Sequence, residues 1–191
     1  MKTRSERDEQ GNAVLVGCHG RRFGCPRFLL GESDGEPLYN SADERHALAD
    51  ECIGGHEGGL AEHYHAIVSI SVLNEAVEIP GNVGLNDPGC NMRPLHTHDT
   101  SGKIHIEFKE EGVDAPLEAF FDTWGKHMDA TGFDDYRIDD NHEFLMYLNT
   151  YSNDDQGNVV VDPNTREQVY DFENLILENY QYIELVYREI A

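Results

Sequence analysis

From His63 to Leu73 apolar and polar side chains alternate: Tyr64, Ala66, Val68, Ile70 and Val72 fall on one side, and His63, His65, Ser69 and Ser71 on the other. A period of two held over that length predicts a half-buried β-strand. Ala76 to Ile79 reads as its hairpin partner, stopped by Pro80-Gly81. Lys103 to Lys109 repeats the alternation, with Ile104, Ile106 and Phe108 toward a core and His105 and Glu107 facing away from it. The period then changes. Leu117, Phe120, Phe121 and Trp124 are spaced i, i+3, i+4, i+7, which predicts a short amphipathic helix with Pro116 in its first turn and Gly125 after its end. The aromatic stripe of that helix reads as a seal over one side of the sheet.

The flanking segments carry weaker signals. Ser41-Ala42-Asp43-Glu44 has the form of a capping box and predicts a helix from about 42 to 53 that Gly54-Gly55 ends. Strands near Phe144 to Leu148, Val159 to Val161 and Tyr182 to Tyr187 are joined by turns, among them 153–157 and Asp162-Pro163-Asn164. Residues 1–12 read as a disordered lead, and Val14 to Val16 and Phe28 to Leu30 as two short strands or an irregular lobe. The expected fold is mainly β, a β-rich α+β class: a single domain over 13–191, built as a small sandwich or open barrel with one or two short covering helices, its motif-bearing module at about 60–127.

Charge narrows the partners. The 191 residues hold 37 acidic and 14 basic side chains, a formal charge of −23, which repels nucleic acid and anionic membrane surfaces. The acids are spread along the whole chain between apolar periodic segments, so they read as the coat of a folded domain. Such a surface resembles that of a halophilic, archaeal-type protein, where concentrated salt screens self-repulsion. No apolar stretch approaches the roughly 20 residues of a membrane span, and Met1 to Gln10 contains no apolar signal core. The expectation is a soluble chain, either in a halophile's cytoplasm or as the mature part of an exported protein.

Candidate chemistry sits in the strands. His63 and His65, then His96, His98 and His105 in the run from Pro94 to Glu107, are five of the ten histidines and fall within 43 residues. Neutral imidazole is the commonest ligand of zinc, copper, iron and nickel, and a His-x-His pair on an extended segment sets two imidazoles on one side. A metal site built from His63, His65, His96, His98 and His105 is expected. Asp99 is expected as a further ligand or as an acceptor that orients an imidazole N–H. Glu107 has the same two options and a third, as general base to a metal-bound water.

Copper or zinc is the expected ion, copper slightly ahead because Cys90 and Met92 place soft sulfur near His96. In cupredoxins, however, the order is Cys, His, Met, and here Met92 precedes His96, which argues against a blue-copper centre. None of Cys18, Cys25, Cys52 and Cys90 forms a CxxC pair, so a zinc ribbon is not expected. Cys18 and Cys25 suit a local disulfide loop, and Cys90 has Cys52 or another cysteine as a partner. His19, His46, His56, His127 and His142 are scattered and read as surface residues, with His56 held in reserve for the site.

The HxH strand, the cysteine and the string from Leu95 to Glu107 together resemble a family of bacterial and archaeal proteins, mostly of unassigned function, that carry an LHTHD-x-SG-x-IHIE motif and continue into an FTLGQFFDVWG-like helix. The matching residues are His63, His65, Ile79-Pro80, Gly84, Cys90, Leu95 to Asp99, Ser101-Gly102, Ile104 to Glu107, Phe120-Phe121 and Trp124-Gly125. The resemblance covers about residues 63–125, and it implies a shared module without implying an activity. Many members carry an N-terminal membrane anchor, which this sequence does not show. Three classes of function remain open: a metal-binding or metal-handling protein, a hydrolytic or redox metalloenzyme with Glu107 or Asp99 as base, and an assembly module whose subunits, a homo-oligomer, are linked through metal.

Overall fold

A computed structural model describes residues 45–190, all within one compact unit. The lead over 1–12, the runs at 14–16 and 28–30, the capping box at 41–44 and the Cys18–Cys25 pair lie outside the described residues.

The alternating segment forms β1 (Glu62–Val72), and β2 (Glu75–Val77) turns back onto it through Leu73 and Asn74. Both connecting residues have positive φ, 50° and 69°, the handedness that a two-residue hairpin requires. The short strands β3 (Leu85–Asp87) and β4 (Cys90–Met92) pair with each other. Next come β5 (Leu95–His96) and β6 (Lys103–Phe108), the two strands of the histidine string. A helix (Leu117–Trp124) and a three-stranded meander (Met128–Asp129, Gly132–Phe133, Tyr136–Arg137) follow. Numbering the four-residue helix Ala47–Asp50 as α1 makes this helix α2 and the meander β7 to β9. Three long strands close the chain: β10 (His142–Asn153), β11 (Val159–Val169) and β12 (Gln181–Glu189).

The main sheet has seven strands in the order β11-β10-β12-β1-β6-β5, with β2 also on β1. Only β1 and β12 run parallel; the other pairs are antiparallel. On one edge, β1 is shared between β6 along Glu62 to Ile67 and β2 along Ile70 to Val72. The sheet stays open. The β-rich α+β class is therefore as expected, and the architecture is an open sheet, not a closed barrel.

One face of the sheet carries the core. Ala66, Val68, Ile70 and Val72 of β1, Ile104, Ile106 and Phe108 of β6, Phe144 and Met146 of β10, and Ile183 and Leu185 of β12 join Leu117, Phe120 and Phe121 of α2 in one buried cluster. Each fully buried Leu, Ile or Phe contributes roughly 1.5–3 kcal/mol relative to exposure, which is what holds α2 against the sheet. Gly125 ends α2 in the left-handed conformation at φ 75°, its N–H donating to the Asp122 and Phe121 carbonyls.

Two expected elements differ. The helix expected over 42–53 is Ala47–Asp50 among the described residues: Glu51 is already extended, and His46 caps the start through Nδ1, which accepts from Leu48 N. The His46 N–H donates to Asp122 on α2 at 2.6 Å, so a tertiary contact sets this helix start. The turn expected at Asp162-Pro163-Asn164 lies inside β11, where the register against β10 slips between Leu148 and Thr150. Proline lacks the N–H that a regular ladder needs, and a bulged edge strand tolerates it.

Candidate metal centre

The pleat of β1, β5 and β6 builds the site. In the antiparallel registers, His65 lies opposite His105 and His105 lies opposite His96, so three imidazoles form a row across three neighbouring strands. One pleat further along, His63 lies opposite Glu107. All of these residues leave the sheet on the side away from the apolar core, because their strand neighbours Tyr64, Ala66, Leu95, Ile104 and Ile106 supply the core side. His98 follows just beyond β5 and its ring meets that of His105 edge-on, with centroids 4.5 Å apart.

Donor atoms converge in two groups of three: His63, His65 and His105, and His96, His98 and His105. In the first group His63 Nε2 lies 3.2 Å from His65 Nε2 and 3.4 Å from His105 Nδ1, and His65 Nε2 lies 3.1 Å from His105 Nδ1. This triangle is nearly equilateral. Its edges match the spacing of about 3.3 Å between neighbouring ligands of a tetrahedral ion with metal–nitrogen bonds of about 2.0–2.1 Å. Each neutral imidazole carries one proton on two nitrogens, so lone pairs crowd at such a meeting point and a cation relieves them.

Glu107 lies at the base of this cluster. It faces away from the apolar core, as the alternation predicts, yet its side chain is completely buried. The alternation placed it on the right face of β6, but His56, His63, His96 and His105 surround it there. Its Oε2 contacts His56 Nε2 at 2.9 Å. Its Oε1 lies 3.2 Å from His63 Nε2, 3.9 Å from His105 Nδ1 and 4.0 Å from His96 Nε2, yet makes no hydrogen bond.

His96 is also fully buried. Its Nδ1 donates to the Arg93 carbonyl at 3.0 Å, since a carbonyl only accepts, and this places the proton on Nδ1 and the lone pair on Nε2. That Nε2 is buried and has no hydrogen-bond partner. A buried polar atom left unpaired costs about 1–3 kcal/mol, and here two such atoms face each other across 4.0 Å. A metal ion held between them would satisfy both.

Three of the rings, His65, His96 and His105, are held toward the unprotonated form. Burial, reinforced by the neighbouring imidazoles His65, His98, His96 and His63, pulls the His105 pKa down to about 3. Burial likewise lowers His96, and burial with the adjacent His63 lowers His65. Metal ligation requires the neutral ring, so these sites offer lone pairs at neutral pH without competition from protons.

Asp99 is placed differently. Its carboxylate is exposed and accepts from the Ser101 N–H at 2.9 Å, forming the turn between β5 and β6, and the hydrogen bonds from Ser101 hold its pKa below the usual range. It belongs to neither donor group. Cys90, weighed as a soft ligand beside His96, is bonded to Cys52, 38 positions away in sequence, with Cα atoms 5.6 Å apart. The sulfur argument for copper therefore falls away at Cys90.

The disulfide has a second consequence. Together with Ile53 N and Gly54 N on the Met92 carbonyl, and Ala61 N on the Phe108 carbonyl, it pins both ends of the loop that carries His56. Tertiary structure thus brings His56, a reserve candidate from sequence, onto Glu107. The remaining described histidines lie elsewhere: His46 caps α1, His127 pairs with Asp129, and His142 pairs with Asp139 and stacks on Tyr187.

Comparisons with protein-family models, curated proteins and solved structures find no match to this chain. A reading of function rests on the chemistry of the cluster.

Proposed function

We propose that this protein binds a transition-metal ion, copper or zinc, through the histidines of β1, β5, the segment after β5, and β6. The observation that carries the reading is the triangle of His63 Nε2, His65 Nε2 and His105 Nδ1, with edges of 3.1–3.4 Å, standing over a buried carboxylate that has an unpaired oxygen. An all-nitrogen set with one carboxylate suits both ions.

A second reading, metalloenzyme, is favoured by the open side of the cluster. The His63 side chain is 43% exposed and His98 is exposed, which leaves the outer coordination position to water or substrate, as catalytic sites require. Glu107, and not the turn-forming Asp99, is then the carboxylate within reach of a metal-bound water. The Cys52–Cys90 bond supports an oxidising compartment and so the exported alternative over a reducing cytoplasm.

The test is elemental analysis by mass spectrometry of untagged protein, beside His65→Ala/His105→Ala and His127→Ala variants. Copper or zinc at stoichiometric level, retained by His127→Ala and lost by the double variant, is expected. Equal metal content in all three proteins refutes the assignment.

A further inference from the structure

The two donor groups invite a question of number. Five imidazoles and one carboxylate exceed the four ligands that a tetrahedral zinc or copper site takes, and they are laid out in a way that one ion does not use. His65, His105 and His96 occupy three adjacent strands in one row, and neighbouring strands are about 4.8 Å apart. His65 and His63 come from β1 on one side of the row; His96 and His98 come from β5 and the residues after it on the other. His105, on the central strand, belongs to both groups.

We infer that the cluster is a dinuclear centre, one ion on His63, His65 and His105, the other on His96 and His98, with Glu107 bridging them. This deepens the metal-binding reading and rests on it. Glu107 Oε1 is the atom that argues for it most strongly: buried and without a hydrogen bond, it faces His63 Nε2 of the first group at 3.2 Å and His96 Nε2 of the second at 4.0 Å. A carboxylate in that position bridges two cations. His56 on the other oxygen, at 2.9 Å, fixes the orientation of the bridge. The unpaired, fully buried His96 Nε2 has its lone pair set by the Arg93 carbonyl, and it is unused unless the second ion is present, because the triangle of His63, His65 and His105 is already complete without it. Paired ions in such centres are about 3.5–4 Å apart, a separation that one bridging side chain spans.

The experiment uses the full chain, stripped with a chelator and titrated separately with zinc and with copper(II). Ions retained after desalting are counted by elemental mass spectrometry, and the copper-loaded protein is examined by electron paramagnetic resonance. Two ions per chain are expected, with the second copper coupling to the first so that the integrated signal falls below two spins per chain. His63→Ala and His98→Ala should each retain one ion, with circular dichroism confirming that both fold. A plateau at one ion, abolished alike by both variants, overturns the dinuclear assignment and leaves the metal-binding reading intact. Two copper ions with uncoupled spectra overturn it as well, since they occupy separate sites. No retained ion overturns both readings. The wild-type count and spectrum decide the matter even where a variant fails to fold.

Discussion

A carboxylate taken out of water costs several kcal/mol unless charge or hydrogen bonds compensate it, and Glu107 has its Oε1 uncompensated in the midst of imidazoles. Replacing it with glutamine keeps the shape and removes the charge. We expect Glu107→Gln to weaken metal binding about 10- to 100-fold, the usual cost of losing a carboxylate around a metal site, without lowering the melting temperature of the metal-free protein. Competition with a chromophoric chelator reads the first effect and calorimetry the second; unchanged affinity contradicts the role given to Glu107. His105 makes a prediction about pH. Its folded pKa of about 3 lies below the ordinary histidine value of 6.5, so between those values the unfolded chain binds more protons than the native one. The metal-free protein is then fully stable with respect to this group above 6.5 and loses stability as pH falls from 6.5 toward 3. His105→Gln should flatten that dependence between pH 5 and 6.5, where few carboxylates titrate; parallel melting curves for the two proteins across that range argue against it.

The elements most legible in the sequence are those with one buried side. β1, β6 and α2 each expose a period, two or 3.6, because water faces one side of them and the core the other. β3, β4 and the meander strands are two or three residues long, too short for any period to register. The bulge at Pro163 was legible as a turn residue and illegible as part of a long strand, since the pairing that holds it comes from β10. Between β5 and β6 the chain turns at Gly102, whose φ is 76° and whose added Cβ would meet the Val68 carbonyl oxygen at 2.2 Å. This close approach lets Val68 N donate to the Gly102 carbonyl at 2.9 Å and so sets the histidine strand against β1. Gly102→Ala should therefore cost about 3 kcal/mol or more in urea unfolding, strain and clash together. Gly157, at φ 83° with nothing near its missing Cβ, should cost only about 1–2 kcal/mol on the same change. Equal losses at the two positions contradict the packing argument for Gly102.

At the scale of the molecule, charge and metal act on stability in different ways. Among the described residues several cations are already paired, Arg93 with Asp87, Lys126 with Asp134, Arg166 with Glu184 and Arg188 with Glu143, which leaves the excess of 37 acids over 14 bases to repel itself. Salt screens that repulsion, with a Debye length of about 10 Å at 0.1 M and about 3 Å at 1 M. The melting temperature should rise with potassium chloride from 0.1 to 2 M; a flat or falling curve contradicts an acid-coated fold that depends on screening. Among the described residues no helix is long and apolar enough to cross a membrane.

The sequence by itself determined the β-rich class, the core face of β1 and β6, the aromatic face of α2 and the concentration of histidines on the opposite face, because each is written in local periodicity and residue type. It named five histidines as donors, since two HxH pairs and a third strand histidine share one pleat side. Only the tertiary structure decided how they meet. Register sets His65, His105 and His96 in one row, a disulfide between cysteines 38 positions apart pins the loop that brings His56 onto Glu107, and enclosure by four imidazoles buries a carboxylate on the non-core face of its strand. Those outcomes depend on contacts between segments far apart in the chain, and no local pattern records them.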